Sequence, residues 1–108
     1  MMLLLEPLEN NRYKVAKPYK YKNIMVPKGY ETNGANIPRI LWSVWPPNKS
    51  DFMHAVVVHD YLCDKEKYSL ADDLFREALQ EAGASKLTVW LFYTSVSLYH
   101  RLRYPSQY

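Results

Sequence analysis

The chain reads as an α+β domain, a small N-terminal antiparallel β-sheet followed by three main α-helices. Three observations predict it. Apolar residues recur at every second position through the first third of the chain, then switch to helical spacing near Pro38. Turn-forming residues such as Pro27-Lys28-Gly29 break the front into short pieces. The length of 108 residues gives room for one core. The expected organisation is a single domain over 1–108, with about 1–37 β-rich, about 38–100 helical, and a frayed tail over 101–108.

Composition supports a packed chain. It is 48% hydrophobic and 23% charged, with no low-complexity tract. Ten tyrosines and three tryptophans suit a globular domain with an amphipathic surface, not a disordered one. Cys63 is the only cysteine, which rules out an internal disulfide framework and a clustered-cysteine metal site. It fits a reducing compartment. The start, Met1 to Pro7, lacks the basic region of a secretory signal. No run reaches the 18 or so apolar residues that a transmembrane segment needs. The net charge of +3 is unevenly placed, positive over residues 1–49 and negative over 50–108. A basic front half could meet an acidic partner or a membrane surface, or simply carry solvated lysines on a small sheet.

The strands come first. Arg12 to Val15 and Tyr19 to Lys22 alternate in type, so Tyr13 and Val15 share one face and the lysines the other. Pro18 confines its segment to an edge or a break. Ile24-Met25-Val26 is a short apolar strand stopped by Pro27-Lys28-Gly29. Interleaved Lys and Tyr also resemble a nucleic-acid surface. Strand alternation accounts for the pattern by itself, and nucleic acid is not expected as a partner.

Tyr30 to Arg39 reads as a loop. Asn33 and Gly34 tolerate a left-handed backbone, and the side chains of Asn33 and Asn36 can bond nearby main chain. Such a loop can aim several carbonyls at one point, or merely connect sheet to helix. Ile40 to Trp45 reads as a short helical turn ended by Pro46-Pro47.

The helical part centres on Ser50 to Cys63, an apolar run that Ser50 or Asp51 can cap. A polar link over Asp64 to Tyr68 leads to a second helix starting at Ser69 and stopped by Gly83. The third, from Lys86 to about Tyr99, is apolar almost all round. It is either a core helix or one lying in a membrane interface, so peripheral membrane contact stays open.

Within the central helix, Phe52, Val56, His59 and Cys63 form one stripe. A histidine on an apolar stripe is costly unless it is paired or useful. In the second helix Asp72, Phe75 and Leu79 share a face, while Asp73, Arg76, Glu77 and Gln80 turn to solvent. Antiparallel helices pack with axes roughly 8–10 Å apart, so His59 and Asp72 can meet. A histidine held by a carboxylate can act as a general base toward water. Asp60 beside it could hold a calcium ion, with carbonyls of the Asn33-Gly34 loop completing the shell. The plainer readings are a His–Asp pin between helices and a capping box over Ser69 to Asp72. His54 precedes His59 by five, which is not the i, i+4 spacing of helical zinc sites.

Gly29 to Arg39, then Trp42, then Ala55 to Leu62, then Ala71 to Phe75, resemble in order and spacing the phage- and prophage-borne family called domain of unknown function 1353. The resemblance implies a protein of the host cytoplasm or the virion, with Asn36, Arg39 and Tyr61 as supporting residues around the loop and the His-Asp-Tyr helix. That helix pair is in turn similar to the core of secretory and prokaryotic phospholipases of the A-two type. This likeness implies His59 as base, Asp72 as its orienting partner and Asp60 as a calcium ligand. The chain departs from those phospholipases in having no disulfide. It departs from the phage family's common Asp-Gly-Ala-Ser order with Asn33-Gly34-Ala35-Asn36.

Two functions compete. One is a metal-assisted ester or amide hydrolase acting on lipid or cell envelope through His59, Asp72 and Asp60. The other is a non-enzymatic structural, assembly or host-interaction module, partnered by a phage or host protein, in which the same residues are structural. An enzyme needs a cleft open to His59, whereas a binding module can bury it.

Overall fold

Short strands lead and long helices follow in the computed structural model, which describes residues 3–10, 12–32 and 50–108. Strand β1 (Leu5–Pro7) pairs antiparallel with β2 (Tyr13–Val15), and β2 pairs antiparallel with β5 (Glu31–Thr32). A separate hairpin joins β3 (Tyr19–Tyr21) to β4 (Ile24–Val26). The front is thus two small antiparallel sheets where the alternation suggests one. Pro18, which has no N–H to donate, stands between β2 and β3. Val15 is fully buried and Tyr13 partly so, as the alternation requires, while Lys14 pairs with Glu6 at 3.8 Å.

Two of the strands lie where the pattern gives no strand. Leu5–Pro7 is too short to show a period. Glu31–Thr32 opens the stretch read as a loop, and its ladder partners Tyr13 and Lys14 are far away in sequence. The turn before it behaves as its residues demand. Tyr30 N–H donates to the Pro27 carbonyl at 3.3 Å, and Gly29 takes φ +92°. That geometry is a type II turn, whose third residue needs a positive φ.

Helix α1 (Ser50–Asp64) ends with Lys67 N–H on the Leu62 carbonyl and Glu66 N–H on the Cys63 carbonyl, Glu66 taking φ +59°. Helix α2 (Tyr68–Glu81) begins one residue earlier than expected. Its preceding residue, Lys67, makes no side-chain capping bond. It closes through the same pair of bonds, Ala84 to Leu79 and Gly83 to Gln80, with glycine in the left-handed position. Helix α3 (Lys86–Arg103) is capped by Ser85, whose Oγ accepts from Thr88 N–H at 3.1 Å.

The C-terminal stretch is folded, in place of a frayed tail. Helix α3 runs on past Tyr99 to Arg103, and a 3-10 turn follows over Pro105–Gln107. Tyr104 stacks on Tyr68 with centroids 4.2 Å apart and planes 2° apart, and the Tyr108 hydroxyl lies 3.0 Å from Ser97 Oγ. Aromatic stacking replaces the apolar run that a packed C-terminus would otherwise need.

The core is built on α1. Ala55 through His59 are fully buried, with α2 on one side and β4 and β5 on another. Tyr19 and Tyr21 reach α1 from the hairpin. The Tyr19 hydroxyl meets His54 Nδ1 at 2.7 Å, and the Tyr21 ring stands edge-on to the same imidazole.

Candidate functional site

The interior of the helical layer holds one polar cluster. His59 from α1, Asp72 from α2 and His100 from α3 are each 0% exposed. His59 Nε2 lies 2.8 Å from Asp72 Oδ1. His100 Nδ1 lies 2.9 Å from both carboxylate oxygens. One carboxylate therefore takes an N–H from two imidazoles on two different helices. Cys63, one turn after His59 on α1, completes the group. Its Sγ is 3.9 Å from His59 Nδ1 and 3.7 Å from His100 Nε2.

Local sequence explains each placement. His59 follows Val56 and precedes Cys63 on the stripe that faces α2. Asp72 lies between Ala71 and Phe75 on the buried face of α2. His100 continues the buried row of Val89, Phe92 and Val96 at steps of three and four. Phe75 packs on the His59 ring at 4.7 Å and Tyr68 on the His100 ring at 4.8 Å, which holds both imidazoles in place.

Electrostatics favours an ionised Asp72. Burial by itself would raise its pKa, but the hydrogen bonds from His100 and His59 bring it below the ordinary carboxylate value. Cys63 moves the other way. Burial, then the negative charge of Asp60, Asp72 and Asp64, pushes its thiol up and keeps it protonated.

The expected meeting of His59 with Asp72 across the helices is present. The capping role for Asp72 is not, because its carboxylate points inward to the imidazoles. Asp60 is 3% exposed and accepts a hydrogen bond from Thr32 Oγ1, which ties the end of β5 to α1. Tyr61 is half-buried, edge-on to Tyr30 at 5.4 Å, and carries Lys65 Nζ over its ring. Asn33, Gly34, Asn36 and Arg39 lie outside the described residues.

The chain matches the family model described as a protein of unknown function (DUF1353) over residues 8–96. The chain belongs to the DUF1353 family. The span matched to DUF1353 includes His59, Cys63 and Asp72, and His100 lies beyond it. No curated protein and no solved structure matches the chain. Among the described residues, no helix is long and apolar enough to cross a membrane.

Sequence reasoning missed His100 and the role of Cys63. The third helix is apolar on so many sides that its buried row does not stand out. A usable signal was nevertheless there. His59 and Cys63 stand at i, i+4, the spacing that His54 and His59 fail to make.

Proposed function

We propose that this DUF1353 protein is a non-enzymatic interaction module whose His59–Asp72–His100 cluster is a structural pin. The observation that carries this is the occupation of Asp72 by a second imidazole, with all three groups fully buried. A general base needs a free nitrogen facing a water-filled cleft. Here the His59 imidazole is fully buried, with the Cys63 sulfur beside its ring at 3.9 Å from Nδ1 and 3.8 Å from Nε2.

The working surface in this reading is the outer face of α3. Leu87, Trp90, Leu98 and Leu102 are all more than half exposed there. Leu87, Leu98 and Leu102 lie within about 60° of one another around the helix. The helix carries Lys86, Arg101 and Arg103 and no acidic residue. A second copy of the same face would bring like charges together. The occupant is therefore a partner protein with an apolar groove rimmed by carboxylates, a helix-in-groove mode with the Trp and Arg anchors common at binding hot spots.

The test is a photo-crosslinker placed at Leu98, with Gln80 as the control position. A discrete protein adduct at residue 98 only is expected. The purified partner should then bind the wild type and lose at least tenfold in affinity for Leu98→Asp/Leu102→Asp. Adducts with lipid alone would transfer the face to a membrane. Turnover of an ester or amide substrate that disappears in His59→Ala would restore the hydrolase, and a calcium-induced rise in Tm that Asp60→Asn abolishes would place a cation at Asp60.

A further inference from the structure

We propose that His59, Cys63 and His100 form a buried zinc site, with Asp72 as the carboxylate that orients both imidazoles. The inference does not depend on what α3 binds. It rests on three side chains from two helices whose ligand atoms all lie within 4.8 Å of one another.

The first argument is donor chemistry. Two imidazole nitrogens and one thiolate are a donor set suited to a borderline-soft divalent ion. His59 and Cys63 stand one helical turn apart, so both reach the same side of α1. His100 arrives from α3. A tetrahedral zinc ion with bonds of about 2.3 Å to sulfur and about 2.0–2.1 Å to nitrogen separates S and N by roughly 3.6 Å. The sulfur stands 3.9 Å from His59 Nδ1 and 3.7 Å from His100 Nε2. The sulfur legs are therefore within a few tenths of an ångström of coordination, and the ion draws the two imidazoles inward.

The second argument is the outer shell. Metal-bound histidines commonly give their other N–H to a carboxylate, which fixes tautomer and ring orientation. Asp72 does this for both rings at once, taking Nε2 of one and Nδ1 of the other. The nitrogens it leaves free, His59 Nδ1 and His100 Nε2, stand 3.9 Å and 3.7 Å from the Cys63 sulfur, which lies beside the His59 ring at 3.8 Å from Nε2 as well.

The third argument is what the cluster lacks without an ion. With Asp72 holding one N–H from each ring, the two remaining nitrogens have a single thiol within 4 Å, and that thiol has one proton for two acceptors. Leaving a buried acceptor unpaired costs free energy. A divalent ion satisfies both nitrogens and the sulfur together. On binding, Cys63 gives up its proton to solvent, and the thiolate with the Asp72 carboxylate balances the two positive charges. Three protein donors leave a fourth position on the ion for a water. The burial of all three keeps that position away from bulk solvent.

The experiment uses untagged full-length protein, stripped with chelator and titrated with zinc chloride. One equivalent of zinc should bind and raise Tm. Cobalt substitution should give the thiolate-to-metal charge-transfer band of a bound cysteine. Cys63→Ala and His100→Ala should each weaken zinc by at least tenfold, while His54→Ala, whose imidazole meets Tyr19 on the other side of α1, should bind as wild type does. Zinc uptake unchanged in the Cys63 and His100 variants, or no uptake by wild type, overturns the site. If those variants fail to fold, the cobalt spectrum of the wild type decides alone, and a spectrum without the thiolate band overturns it.

Discussion

Helices α1 and α3 invite comparison. Both are apolar almost all round, and each sends one histidine to Asp72. Yet α1 is buried on nearly every side between Met53 and Cys63, whereas α3 buries one row and leaves Leu102 75% exposed. Composition does not separate them. What separates them is the number of neighbours. Among the described residues, helix α1 has α2 against one flank and β4 and β5 against another, while α3 packs mainly on α2 and on its own C-terminal turn. Burial is a property of position in the layer stack, and an apolar surface beyond the last layer stays in water unless something covers it.

The sharpest way to break the comparison is at Asp72, the group both helices share. Asp72→Ala should cost about 3–5 kcal/mol in urea denaturation, because it strands two buried imidazoles. A loss near zero would mean that neither helix depends on the pin. Double-mutant cycles refine this. His59→Ala with Asp72→Ala, and His100→Ala with Asp72→Ala, should each show coupling of roughly 0.5–3 kcal/mol. Additive losses in one cycle would show that only the other helix is truly held.

Packing is the next contrast. Leu62→Ala, in the buried part of α1, should cost about 2–5 kcal/mol. Leu102→Ala on α3 should stay within about 0.5 kcal/mol. Equal losses would mean that the outer face of α3 is covered in solution.

The smallest effect concerns the hairpin, where the Tyr21 hydroxyl donates to Glu81 at the end of α2. Burial, then the hydrogen bond to Glu81 and the charge of Glu81 and Glu77, holds its phenol protonated well above the usual range. The unfolded tyrosine ionises near 10. The neutral form is the one the fold retains, so this stabilisation is complete below about pH 10 and fades as pH rises toward the folded value. Thermal melts between neutral and strongly alkaline pH should decline more gently in Tyr21→Phe than in wild type. Parallel curves would remove Tyr21 from the alkaline limb.

Much of this could be read before any coordinates. The change from strand to helix periodicity, the glycines at positions 29 and 83, and the bounds of α1 and α2 to within a residue or two follow from local chemistry, since a turn or helix end is settled by residues a few positions apart. The inward aim of Asp72 follows too, because α2 sets an apolar face against a polar one, and His59 is buried because a helix as apolar as α1 is covered on nearly every side. Glu31–Thr32 did not declare itself a strand. Two residues carry no period, and pairing with Tyr13 and Lys14 is a long-range event.

The sequence by itself therefore determined that strands precede helices, the single core and the His59–Asp72 meeting, but not the strands Leu5–Pro7 and Glu31–Thr32. The tertiary structure alone decided that His100 would join them, that Cys63 would stand within 4 Å of both imidazoles, and that Leu87, Trp90, Leu98 and Leu102 of α3 would stay exposed. The reason is physical. Helical periodicity selects a face only when the opposite face is polar. Helix α3 is apolar on both, so which row turns inward is settled by its packing on α2, between residues far apart in the chain.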